Sequence, residues 1–177
     1  STVAQKMYEV GENLSKVNFK RVLQLGDVIT ENPSDENENR ESLQVFLSLL
    51  QKFPWPILNL LGNHELWGLG KHYLSEQYQL HGFEKKFFGI EDFGHYQIVW
   101  IDIVCPDMQH GKVTDVQLKW LSKNLVNKPT IVLSHYPLFP PDTLGHYYFE
   151  TETNKSALQN GAEVWKVLRK LDHKVVI

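Results

Sequence analysis

Three short strings carry the side chains that could do chemistry: Gly26-Asp27, Gly62-Asn63-His64-Glu65 and Ser134-His135. Each closes a largely apolar run, Arg21 to Leu25, Pro56 to Leu61 and Thr130 to Leu133 in turn. An apolar run that stops at a small residue reads as a buried strand ending in a turn. A carboxylate, an amide and an imidazole delivered at three strand ends form a mixed O/N donor set suited to Mn, Fe, Zn or similar ions, and poor for thiophilic ones. Taken singly, each has a plainer reading. Asp27 reads as a turn or capping residue, Asn63 as a turn residue in the left-handed region, and His135 as a core histidine bonded to backbone. Taken together they point to a metal site, because residues just past the carboxyl ends of α/β strands gather in one crevice. A carboxylate has two oxygens and can bridge two ions, the arrangement on which two-metal hydrolases rely.

The elements that must position these residues follow from periodicity. Val3, Met7, Val10, Leu14 and Val17 fall on one face of a helix over 3–17. A strand over 21–25, a polar acidic loop over 31–40, a helix over 41–53 and a strand over 57–61 make a βαβ unit, hence a parallel pair. Pro54 and Pro56 stop that helix. A short helix or turn region over 72–80 precedes two strands, 86–90 and 95–103, joined by a hairpin at Glu91-Asp92-Phe93-Gly94. The spacing predicts a helix over 114–125, with Thr114 as N-cap and Gln117 completing a capping box. A strand over 130–133, an aromatic and proline-rich loop over 136–153, a helix over 162–171 and a strand over 174–177 complete the order. The expected fold is α/β, one domain over residues 1–177, with no repeat and no linker.

Composition narrows the function without naming it. At 177 residues, 42% hydrophobic and 22% charged, the chain has the length and profile of one soluble domain with a real core. A net charge of -3 gives no basic footprint for nucleic acid. No run is long and apolar enough to span a membrane. Cys105 is the lone cysteine and reads as a small buried hydrophobe, so it says nothing of redox compartment. The compartment is not legible, with the cytoplasm slightly favoured. His72, His81, His95, His110 and His173 read as surface or strand residues. His146, among Tyr147, Tyr148 and Phe149, sits in the loop after His135, which could shape substrate choice or simply pack. Trp67 could line the pocket or fill the sheet edge. The sequons at Asn13 and Asn154 decide nothing.

Leu25-Gly26-Asp27-Val28, Leu61-Gly62-Asn63-His64-Glu65 and Val132-Leu133-Ser134-His135-Tyr136-Pro137, in that order, resemble the calcineurin-like metallophosphoesterases. The likeness runs over nearly the whole chain and includes Gly111 to Leu125, similar to the family's helix before the histidine strand. It implies a metallophosphoesterase-like sandwich of two mixed β-sheets flanked by helices, and two metal ions, with Mn, Fe or Zn expected. By that resemblance Asp27 would bridge the ions, Asn63 and His135 would ligate the second, and a hydroxide between them would attack phosphorus. His64 would donate to a phosphoryl oxygen or protonate the leaving group, and Glu65 would orient the turn from behind. The expected partner is a phosphorylated small molecule or nucleotide: a monoester, diester or nucleotide pyrophosphate.

The sequence departs from the family's pattern in three places. No Asp-x-His precedes Gly26-Asp27, since residues 1–25 hold no histidine and only Glu9 and Glu12 as carboxylates. No Gly-His-x-His follows Val175-Val176-Ile177, and Thr30 stands where the family often has a second acid. The expectation is therefore a domain incomplete at both ends, an internal piece of a longer phosphoesterase with weak or absent turnover of its own. A catalytically silent binding or scaffold module on the same fold is the competing expectation.

Overall fold

The chain is described by a computed structural model over residues 3–14, 17–83, 86–105, 110–139, 144–145, 150–151 and 157–177. His146, the aromatic cluster 147–149 and the Asn154 sequon lie outside the described residues. The elements run α1 (Val3–Leu14), β1 (Val22–Gln24), α2 (Glu36–Leu50), β2 (Ile57–Asn59), α3 (Asn63–Gly68), α4 (Lys71–Leu80), β3 (Gly89–Asp92), β4 (Gln97–Ile101), α5 (Asp115–Asn124), β5 (Thr130–Ser134), α6 (Gly161–Leu168) and β6 (Lys174–Val176).

Strands β1 and β2 pair in parallel, Val22 opposite Ile57 and Gln24 opposite Asn59. The other sheet has the order β3-β4-β5-β6, antiparallel at β3–β4 and parallel beyond. Alternation along the strands builds the layers. Leu58 and Leu60 pack with Ile98 and Leu133 in a core between the two sheets. Val99, Ile101 and Val132 face the other way, with Leu121, Val164 and Leu168 from the helices. On the outer side of β1–β2, Leu43, Phe46 and Leu47 of α2 pack with Leu74 and Tyr78 of α4. The result is helices, sheet, sheet, helices. Both sheets end their parallel strands toward the same region, which is where the polar strings lie.

Several local expectations shift, each for a physical reason. Helix α2 begins at Glu36, inside the stretch expected as loop, because the Asp35 side chain caps it by accepting from the N–H groups of Asn37 and Glu38. Glu36 and Glu38 then sit in the first turn, where the helix dipole favours them. Val10 is 55% exposed rather than inward-facing on α1. Gly11 is the close-approach position there, with the Phe53 ring against it. The hairpin turn falls two residues later than expected, closed by the Phe93 N–H donating to the Tyr96 carbonyl at 2.9 Å. Thr114 does cap α5, accepting from the Gln117 N–H at 3.3 Å. The Gln117 side chain does not complete a capping box: it accepts from the Asp102 N–H at 3.0 Å and donates to the Asp102 carbonyl at 2.8 Å. A buried amide finds more in a neighbouring backbone pair than in a helix end that Thr114 already serves.

Candidate metal centre

Asp27 sits on a sharply bent backbone. Gly26 has φ of 101° and Asp27 φ of 55°, so the chain passes through the left-handed region at both residues just after β1. The Glu65 carboxylate compensates that strain. It accepts from the Asp27 N–H at 3.1 Å, from the Val28 N–H, and from the Gly62 N–H at 2.7 Å. With the Ile29 N–H at 3.4 Å, four backbone donors thus converge on one side chain that is fully buried. Burial raises its pKa above the ordinary carboxylate value and outweighs the backbone donors, which act the other way. Glu65 lies on α3, so the expected glycine turn after Leu61 is a turn leading at once into a short helix.

The two glycines let these loops touch. A Cβ on Gly62 would lie 2.1 Å from the Asp27 carboxylate, and one on Gly26 would lie 2.6 Å from the Gly62 nitrogen. With hydrogen in those places, Asp27 and Asn63 reach the end of β5 together. There His135 bonds through Nδ1 to the Leu25 carbonyl at 2.8 Å. A carbonyl can only accept, so Nδ1 carries a proton in this bond, and Nε2 is the ring atom turned inward. Nε2 then faces Asn63 Oδ1 at 2.9 Å and Asp27 Oδ1 at 3.3 Å.

An imidazole nitrogen, an amide oxygen and a carboxylate oxygen gathered this closely are three donors that one cation could share. Ligands at about 2.0–2.2 Å from one ion, at right angles, stand roughly 3 Å apart. The spacing and the donor types therefore fit a divalent ion. Among the described residues no three His, Cys, Asp or Glu side chains gather in a metal-holding group. This trio has only two of those types, and its third donor is an amide.

His64 stands beside the trio and outside it. Its backbone N–H donates to Asp27 Oδ1 at 3.2 Å, while its Nε2 lies 3.8 Å from Asp27 Oδ2. Its Nδ1 pairs with the Glu31 carboxylate, and its ring meets Trp67 at 5.2 Å between centroids. Sequence reasoning missed Glu31. The signal was one residue away: Thr30 drew attention as the place for a second acid, and the acid is next to it. Among the described residues no helix is long and apolar enough to cross a membrane.

A mixed α/β sandwich that gathers a carboxylate, an amide and an imidazole at its strand ends has the architecture of a metal-dependent hydrolase. The chain belongs to the calcineurin-like phosphoesterases, whose family model matches residues 5–177. Its fold is similar to that of a dimetal phosphatase from Danio rerio, with a TM-score of 0.74 and 14% identity over 97% of this chain and 69% of that one. No curated protein matches. The family carries phosphoester hydrolysis and a dinuclear metal site, and therefore a phosphorylated substrate.

Proposed function

We propose that the chain hydrolyses a phosphate ester at a metal centre held by Asp27, Asn63 and His135. The single observation that carries this reading is His135 Nε2 turned onto two oxygens, an arrangement that a divalent cation satisfies. Mn, Fe or Zn suits the donor set. Bound ions would supply Lewis acidity at phosphorus and an activated water. Asp27 would serve both ions, as the carboxylate close to both His135 and His64. Asn63 and His135 would hold the second ion only.

The remaining roles belong to the chain's own groups. Glu31 fixes the His64 ring through Nδ1, so Nε2 is the atom left to hold or deliver a proton at the leaving-group oxygen. Glu65 keeps the Asp27 loop and the Asn63 turn at one spacing. The substrate is a phosphomonoester, a phosphodiester or a nucleotide pyrophosphate. Of the three residues assigned to the centre only Asp27 would serve the other ion, so slow turnover is expected. The same observation favours a second reading, a silent binding module on this fold.

Hydrolysis of bis(p-nitrophenyl) phosphate with added Mn²⁺ decides between the two. The expected result is slow turnover that vanishes with chelator and with Asp27→Ala. Mn²⁺ bound through His135 with no turnover dependent on Asp27 would overturn the enzyme and leave the binding module.

A further inference from the structure

The Glu31 carboxylate that holds the His64 ring stands on the loop between β1 and α2, and that loop has a fastening of its own. Asn39, at the end of the first turn of α2, is 2% exposed. Its Oδ1 accepts from the Asn32 N–H at 2.6 Å, and its Nδ2 donates to the Asn32 carbonyl at 3.0 Å. The same Nδ2 donates to the Gly68 carbonyl at 3.2 Å. Both amide protons and the amide oxygen are thus committed. Asn32 directly follows Glu31, and Gly68 ends α3, the helix that opens on Asn63 and His64.

A buried amide that only completed a turn would serve the backbone of its own loop. The third bond sets Asn39 apart, because it reaches across 29 residues to the helix that carries His64. Gly68 supports the same seat. A Cβ there would lie 2.8 Å from the Glu31 Cβ and 3.1 Å from Asn39 Nδ2, so Glu31 and the amide pack into the space its missing side chain leaves. The Glu31 side chain is accordingly only 15% exposed. An imidazole that handles a proton gains from a partner whose place is fixed before substrate arrives.

We propose that Asn39 is a positioning residue for His64. It ties the Glu31 loop to the end of α3 and so keeps the Glu31 carboxylate on Nδ1. While that carboxylate stays, Nδ1 keeps a proton, and Nε2 alone is left to exchange one on the side of Asp27. The weight of this device in catalysis rests on the phosphoesterase reading, whereas the placing of Glu31 does not.

The test is proton–nitrogen NMR of the histidine rings in the chelator-treated chain, in alkaline buffer, where a free imidazole is neutral and favours its proton on Nε2. The His64 signal is identified by its loss in His64→Gln. Nδ1 is expected to be protonated in the parent chain. Asn39→Ala should move the proton to Nε2, as Glu31→Ala does, and the double variant should add nothing further. If Asn39→Ala does not fold, Gly68→Ala decides by the same signal: it lies on helical backbone, and its Cβ displaces Glu31. With Mn²⁺ added, Asn39→Ala should lose roughly tenfold in kcat on phenyl phosphate and little on p-nitrophenyl phosphate. A parent ring without a proton on Nδ1, a variant that keeps that proton in place, or equal losses on the two esters would each overturn the proposal. The NMR uses neither metal nor ester, so a failure of every chain to hydrolyse esters would defeat the phosphoesterase reading alone.

Discussion

His64 has one ring nitrogen taken and the other left toward Asp27 by its neighbours. Glu31 takes Nδ1 and Trp67 lies against the ring, which leaves Nε2 on the side of the Asp27 carboxylate. If that nitrogen protonates the leaving group, its loss must matter most where the leaving group is poor. Glu31→Gln is therefore expected to slow hydrolysis of phenyl phosphate by roughly tenfold to a hundredfold, with a much smaller effect on p-nitrophenyl phosphate. Steady-state rates for the two esters check this, and equal losses on both would remove His64 as the acid. Glu31 was illegible because its partner is 33 residues away, and a carboxylate opening an acidic stretch looks solvated. That Asp27, Asn63 and His135 meet was legible, since each ends an apolar run and strand ends share a crevice.

At the scale of elements, two loops and a short helix are pinned by one carboxylate. A Cβ on Gly62 would drive into Asp27, so Gly62→Ala should abolish Mn²⁺ binding while far-ultraviolet circular dichroism stays native. Binding retained at the original affinity would show that the loops can part without harm. Glu65→Gln keeps the shape but replaces one acceptor oxygen by an amide NH2 that faces backbone N–H donors, an expected cost of about 1–3 kcal/mol. The sign of its pH dependence follows from burial, which lifts the Glu65 pKa in the folded chain. The folded state then holds the proton more tightly than the unfolded one. Stability linked to this group is fully present below the ordinary carboxylate range and is lost as pH rises through the raised value. The advantage of the parent chain over Glu65→Gln should accordingly shrink as pH rises, as read from urea unfolding. A gap that widens instead would show that the donors outweigh burial. Helices and strands were largely legible from periodicity. What escaped was side-chain choice between partners, as when Gln117 clamps Asp102 instead of capping its own helix, because local pattern does not report the neighbouring strand.

Across the whole molecule, the trio bridges the sandwich. Asp27 and Asn63 follow the strands of the two-stranded sheet, and His135 follows β5 of the other. Their spacing depends on how the sheets dock through Leu58, Leu60, Ile98 and Leu133, with Arg21 and Glu91 forming a bidentate pair between β1 and β3 at 2.6 and 2.7 Å. That half-exposed pair is worth at most about 1 kcal/mol, so the apolar layer dominates. Leu133 is fully buried in it, two residues before His135. Leu133→Ala should cost about 2–5 kcal/mol through the cavity it leaves. Because the same side chain backs the β5 terminus, the variant should also bind Mn²⁺ more weakly. The coupling runs in reverse as well. An ion held by both sheets binds the folded state alone, and at a hundredfold excess over its dissociation constant it stabilises by about 2.7 kcal/mol. For a domain of this size that is a rise in Tm of roughly 5–10 °C. Thermal unfolding with and without Mn²⁺ reads it directly. His135→Ala, which leaves both apolar layers intact, should lose the rise, and an equal rise in that variant would place the ion elsewhere on the molecule.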